Sequence, residues 1–198
     1  YFNRQKRDGS PITEFILDTY DLEFQHRFPL TQKQEITWGL GQRYVKDSFS
    51  NSLALQFDPL SRWNYRLGTF IQDEITLIPD NLRLILGSKF SENNYTGFEF
   101  QPSGRLLWTP NDRHTVWGAV SRAVRTPSRA EDTIRLNGSV LPGPAVAAFI
   151  GTHDFESEDL IAYEAGYRFR PSNKLFFDLS VFYNKYDNLN SREPGTPF

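Results

Sequence analysis

From Thr19 to Phe28 the chain alternates between apolar and polar side chains. Tyr20, Leu22, Phe24 and Phe28 share one parity, while Thr19, Asp21, Glu23, Gln25 and Arg27 share the other. Only His26 breaks the apolar side. Successive side chains of a β-strand point to opposite faces, so this stretch has one greasy face and one charged face. The pattern returns in later segments of about ten or more residues, roughly twice the usual strand of a soluble domain. That is the length of a tilted strand crossing a bilayer. The pattern predicts an all-β chain: part of an antiparallel transmembrane β-barrel of the outer-membrane type.

About nine strands follow from the periodicity. They cover residues 1–6, 12–28, 34–46, 62–77, 82–91, 96–109, 114–124, 159–170 and 175–186. In the third, Ile36, Trp38, Leu40 and Tyr44 oppose Glu35, Thr37, Gly39, Gly41 and Arg43. In the fourth, Trp63, Tyr65, Leu67, Ile71, Ile75 and Leu77 oppose Arg62, Asn64, Arg66, Gln72 and Glu74, with Asp73 out of place on the apolar side. Pro102 falls inside the sixth and predicts a bulge or break. The seventh has no separable faces, because Val116 and Val120 oppose Trp117 and Ala119.

The connections alternate too. Residues 29–33, 79–81, 110–112 and 171–173 are tight, and each begins with proline. Between them fall residues 47–61, 91–95, 125–156 and the C-terminal tail, three of which are longer or open-ended. Short turns on one side and long loops on the other are the habit of outer-membrane barrels. A soluble sandwich has no reason to alternate in this way.

Composition agrees. Aromatics reach 15%, with Phe 17, Tyr 9 and Trp 4, which suits strands and membrane interfaces. Mean hydropathy is -0.53, and no run of about 18 apolar residues exists to make a spanning helix. A barrel hides its apolar face by alternating it with polar residues. The net charge of -2 gives no case for nucleic acid. Cysteine is absent, which removes disulfides, zinc–cysteine sites and cysteine nucleophiles. Residues 1–6 already look like strand and residues 195–198 look like loop, so the chain reads as a piece of a larger protein. A mature chain without its leader is the other reading.

Several strings resemble one family when taken in order. Gly68-Thr69-Phe70-Ile71-Gln72-Asp73-Glu74-Ile75, followed by residues 82–88, resembles the barrel of TonB-dependent outer-membrane receptors. Pro102-Ser103-Gly104-Arg105-Leu106-Leu107-Trp108-Thr109-Pro110 is similar to the next strand and turn, and Ser121-Arg122-Ala123-Val124-Arg125-Thr126-Pro127-Ser128-Arg129 to the exit into a large extracellular loop. Glu158-Asp159-Leu160 with residues 162–168, then residues 181–189, resemble the two strands after it. The resemblance runs from about Gly68 to Leu189, and its order and spacing carry it. It implies a barrel of about 22 strands, a plug folded inside, and energy delivered through a TonB box. Residues 1–198 would then be a partial barrel domain, lacking the plug, the TonB box and the closing C-terminal strand.

The polar parity carries Asp21, Glu23, Arg27, Glu35, Arg43, Arg62, Arg66, Glu74, Arg83, Lys89, Arg105, Glu164 and Arg168. They read as a wet lumen wall that meets the plug and guides polar solute. Arg122, Arg125 and Arg129 cluster where the longest loop begins. They suit an anionic ligand such as an iron chelate, or else solubility of the loop rim or contact with lipopolysaccharide phosphates. His153-Asp154 sits in that loop, open to a metal or haem or simply solvated. His26 suits an interface position near the rim. Trp38, Trp63, Tyr65, Trp108, Tyr167 and Phe177 suit interfacial aromatic girdles, or the core of a soluble sandwich. No Gly-x-Ser-x-Gly elbow, Walker loop or His-Glu-x-x-His string occurs, so neither an enzyme nor a bound cofactor or metal is expected.

The expected function is TonB-energised import of a scarce, bulky solute across the outer membrane of a Gram-negative-type bacterium. By resemblance the cargo is an iron chelate (siderophore), with haem or cobalamin as alternatives. The expected partners are outer-membrane lipid and lipopolysaccharide, the protein's own plug, the TonB complex and the chelate. Two other readings are a passive porin-type barrel and a soluble carbohydrate-binding β-sandwich. Residues 125–156 are expected to take part in cargo capture, since long loops on compact scaffolds are usually functional or disordered.

Overall fold

The computed structural model describes residues 1–9, 13–137 and 148–191. Its strands are β1 (Phe2–Gly9), β2 (Thr13–Thr31), β3 (Gln34–Ser50), β4 (Leu55–Phe57), β5 (Ser61–Ile78), β6 (Leu82–Asn93), β7 (Gly97–Asn111), β8 (His114–Arg125), β9 (Ile134–Asn137), β10 (Ala148–Ile150), β11 (Glu158–Ser172) and β12 (Leu175–Asp187). One short helix, α1 (Arg129–Thr133), precedes β9. Nine strands form one antiparallel sheet in the order β1-β2-β3-β5-β6-β7-β8-β11-β12, an arc of barrel that does not close on itself. A second sheet of three short strands, β10-β9-β4, joins two of the long connections. The loop reading of residues 195–198 and the middle of the long connection over residues 125–156 fall outside the described residues.

The register keeps the two parities apart across the whole sheet. Tyr20 lies opposite Tyr44, which lies opposite Tyr65. Ile75 lies opposite Leu84, which lies opposite Leu106. Nothing in the described residues covers this apolar face: Leu22 is 69% exposed and Leu179 is 63% exposed. Among the described residues the buried apolar side chains are Phe57 and Pro127, both in the long connections. A β-sandwich would bury this face against a second sheet, so the sandwich reading fails here. Aromatic pairs gather toward both strand ends. Phe2–Tyr20, Tyr20–Trp63 and Tyr163–Tyr183 have ring centroids 5.0, 6.0 and 6.2 Å apart at one end. Phe24–Trp38, His26–Trp38 and His114–Phe169 stand at 5.5, 6.2 and 4.6 Å toward the other. His26 is therefore a member of an aromatic belt.

The tight turns share one end of the sheet. Three use the same device: Thr31, Asn111 and Ser172 each accept, through a side-chain oxygen, the N–H two residues on, from Lys33, Arg113 and Lys174. In the fourth, Asp80 takes a positive φ of 63°. The prolines do not start three of these turns, as the sequence suggests. Pro29, Pro110 and Pro171 lie inside β2, β7 and β11, at or beside irregularities in the ladder register. Proline has no N–H to give the ladder, and a bulge removes the need for one.

Two strand readings are corrected. Pro102 does not break β7, which pairs without a shift from Gly97 to Trp108 along β6. Instead the β7–β8 ladder ends beside it, at Ser103 opposite Ser121. Side chains replace the lost rungs: the Arg122 guanidinium donates to the Phe100 carbonyl, and the Val124 N–H donates to Gln101 Oε1 at 3.4 Å. The faces of β8 are also resolved by its neighbours. Val116 and Val120, opposite Trp108 and Gly104, join the apolar face, and Trp117 and Ala119 join the polar one.

Candidate functional site

Above the polar face, at the end away from the tight turns, the long connections fold onto one another. Ser128 caps α1 in a capping box: its hydroxyl accepts the Glu131 N–H, and the Glu131 carboxylate accepts the Ser128 N–H at 2.7 Å. This places Arg129 and Asp132 on adjacent turns, facing the β3–β5 connection. Arg129 Nε donates to Asp47 Oδ2 at 3.0 Å. Asp47, only 1% exposed, also accepts from Asn64 Nδ2 at 2.9 Å and from the Arg62 N–H at 2.8 Å. Arg62 Nη1 in turn donates to Asp132 Oδ2 at 2.6 Å, and its guanidinium carbon stands 4.8 Å from the Tyr95 ring centroid. Burial pushes the Tyr95 phenol up, against the opposing pull of Arg62.

Apolar and backbone contacts complete the clasp. Phe49 and Phe57 stack with centroids 3.9 Å apart, and the Arg129 guanidinium carbon lies 5.9 and 5.8 Å from the two rings. β9 runs between β4 and β10, so the segment after β8 crosses the polar face to reach the β3–β5 loop. Gly151 passes so close to α1 that a Cβ there would lie 2.5 Å from the Glu131 carbonyl oxygen. The Glu131 carboxylate ties the clasp to the opposite edge through Arg125 and Asn190. Burial would raise that carboxyl, but hydrogen bonds from Arg125, Ser128 and Asn190 outweigh it and hold it at about 2.

The expected ligand residues are not brought together as one free cationic patch. Arg122 lies on the apolar parity and pairs with Asp159. Arg125 pairs with Glu131 and Glu158. Arg129 is built into the clasp, its side chain 11% exposed. His153 Nδ1 sits 2.6 Å from Asp132 Oδ1 but keeps its side chain 71% exposed, and Asp154 accepts from Thr152 Oγ1 at 3.1 Å beside it. Among the described residues no three side chains gather as a metal site.

The charged residues of the polar parity do share one face. Arg43 bonds Asp21, Arg27 bonds Glu35, Arg83 bonds Glu74 at 2.9 Å, and Arg168 bonds Asp178 at 2.9 Å. Arg62 stands at the loop end of this face, and Arg66, Lys89, Glu23, Arg105 and Glu164 lie along it, Arg105 over the Trp117 ring at 5.7 Å. Asp47, Asn64, Tyr95 and Asp132 were not singled out by the sequence. The capping-box spacing Ser128-x-x-Glu131 is the one signal that announces the helix carrying Asp132.

The model for the TonB dependent receptor-like beta-barrel family matches residues 1–198. The chain belongs to the TonB-dependent receptor family. Barrels of this family lie in the outer membrane of Gram-negative bacteria and belong to transporters rather than enzymes. This receptor barrel is similar in structure to the siderophore receptor PirA from Pseudomonas aeruginosa, with a TM-score of 0.71 and 19% identity over 88% of this chain and 33% of that one. It is similar to PirA from Acinetobacter baumannii, with a TM-score of 0.67 and 18% identity over 88% and 27% of the two chains. A mutant of the ferric enterobactin receptor PfeA from Pseudomonas aeruginosa matches with a TM-score of 0.71 and 18% identity over 87% and 27%. The chain spans about a third or less of these receptors. A search of the curated proteins gives no match.

Proposed function

We propose that this chain forms part of the wall and outer mouth of a receptor that imports a scarce, bulky solute with energy from the TonB complex. The observation that carries the reading is the separation of faces over nine strands, with tight turns at one end and loops folded over the polar face at the other. The apolar face meets outer-membrane lipid, with lipopolysaccharide at its outer belt. The polar face is the lumen wall around the protein's plug. The tight turns lie in the periplasm. Siderophore receptors among the structural neighbours favour an iron chelate as cargo, with haem or cobalamin as alternatives.

At the mouth, His153 and Asp154 are the members of the expected ligand set that remain open to solute, with Arg125 half exposed beside them. Arg129 serves capture indirectly, by holding the loop over the lumen. The test is uptake of radioactive ferric chelates by cells in which the full-length receptor is the sole route. Uptake that stops when TonB is deleted supports the reading. Uptake of small solutes that persists without TonB would return the chain to the porin-type alternative.

A further inference from the structure

A carboxylate on the lipid-facing side of a membrane strand is costly, and it asks for a partner. β5 carries one. Asp73 shares the apolar parity with Ile71, Ile75 and Leu77, and lies between Ile36 on β3 and Leu86 on β6. Its Oδ2 accepts from Gln34 Nε2 at 3.2 Å. Its Oδ1 is buried and has no hydrogen-bond partner among the described residues. The apolar side chains on either side of it have no donor to give.

The register places Asp73 in the inner aromatic belt. The row of paired residues through Trp38 runs to Ile71, then Ser88, then Pro102. On β7 the belt residue is Trp108, six residues past Pro102 toward the tight turns. Six residues over three strand steps is a descent of about two residues per strand, as tilted strands require. One such step from Ile71 along β5 reaches Asp73. Aromatic belts mark the level of the lipid headgroups, here those of the periplasmic leaflet.

Beside Asp73, toward the tight turns, lies an open recess of about 630 Å³ whose lining includes Lys33, Gln34, Ile75 and Leu77. Gln34 stands opposite Ile75 and joins the recess to Asp73. Lys33 is exposed, and its carbonyl accepts the Thr76 N–H at 2.7 Å. Thr76 is three residues from Asp73, so the two charges are about 10 Å apart along the strand. A lysine side chain and a short zwitterion can bridge that span together.

We propose that this recess holds the headgroup of a zwitterionic phospholipid with a primary ammonium, phosphatidylethanolamine, from the periplasmic leaflet. The headgroup lies along the wall. Its phosphate meets Lys33, and its ammonium donates to the Asp73 carboxylate beside Gln34. An anionic lipid would satisfy Lys33 and leave Asp73 without a donor. A choline headgroup carries the same charges but has no N–H to give. The proposal rests on the reading that this parity faces lipid.

The test uses the full-length receptor, stripped of lipid in detergent and offered equal amounts of phosphatidylethanolamine and phosphatidylcholine. Native mass spectrometry reads which lipid stays bound. The ethanolamine lipid should be retained about tenfold over the choline lipid, as a hydrogen bond to a charged group allows. Asp73→Asn should abolish that preference. Asp80→Asn, which removes another carboxylate at this end, should leave it intact. Lys33→Gln should weaken both lipids together without changing their ratio. All three variants should keep the heat resistance of the barrel in detergent. Equal retention by the unaltered receptor, or a preference that survives Asp73→Asn, would overturn the site. Tighter retention of phosphatidylglycerol than of phosphatidylethanolamine would overturn it in favour of a simple phosphate site at Lys33. Ile71→Cys and Ile75→Cys, challenged with a lipid-confined maleimide, separate the two claims. Labelling of both beside equal lipid retention ends the lipid site alone, and no labelling ends the facing with it.

Discussion

Removing the Arg129 side chain should unlatch the loop that crosses the mouth. Asp47 is buried, and Arg129 is the cation that balances it; the other donors are the Asn64 amide and the Arg62 N–H. Deleting one partner of a buried pair leaves an uncompensated charge and costs about 3–5 kcal/mol. The loss falls on the local opening of α1 and β9, because Arg129 belongs to that segment alone. The amides to watch are Asp132, which donates to the Ser128 carbonyl, and Asn137, which donates to the Ala54 carbonyl. At about 1.4 kcal/mol per decade, Arg129→Ala should speed their hydrogen exchange by about 100-fold or more in the detergent-solubilised receptor. Asp47→Ala should act in the same direction. The double variant should lose less than the two singles together, by about 1–3 kcal/mol, because neither charge is then left alone. Acceleration below about threefold, or simple additivity, would show that Asp47 and Arg129 are not a latch.

Three further outcomes follow. Leu84→Arg places a charge on the apolar face between Ile75 and Leu106 and should cost about 2–4 kcal/mol of folding into lipid vesicles; neighbouring Arg83→Leu should be far milder, and equal costs would refute the facing. Gly166→Val drives a side chain into Trp117 and should cost about 1–3 kcal/mol in urea titrations, recovered by adding Trp117→Ala; no recovery would mean that the tryptophan is not the obstacle. The Glu131 carboxyl sits at about 2 against an ordinary 4.5, so the opened loop binds more protons between those values and the closed loop gains stability as pH rises through them. Acidification across that window should loosen the loop, seen as faster pepsin nicking near α1, and Glu131→Gln should weaken that pH dependence.

The long strands were legible because period two needs only one side chain after another. The faces of residues 19–28 and 62–77 followed from that alone, as did the short-turn, long-loop asymmetry. Residues 114–124 resisted because Val116, Trp117, Ala119 and Val120 are apolar on both parities. Only the register with β7 and β11 separates them. Pro102 misled for a related reason: a missing N–H matters on one edge only, and the sequence does not say which neighbour needs it. The clasp was hidden because its partners lie far apart in sequence, with Asp47 and Arg129 read as a loop boundary and a free cation. Pairing them requires knowing that the segment after β8 folds back across β5 to β3.

The account turns on one claim, that alternate residues of these strands face lipid and lumen. Single cysteines at each position of residues 82–90 in the full-length receptor test it most directly, since this chain contributes no cysteine of its own. Each would be challenged in intact outer membranes with a lipid-confined maleimide and with a charged, water-soluble one. The account predicts strict alternation: positions 82, 84, 86, 88 and 90 react with the lipid probe, and 83, 85, 87 and 89 do not. Labelling without a two-residue period, or water-soluble label at Leu84 and Leu86, would contradict it.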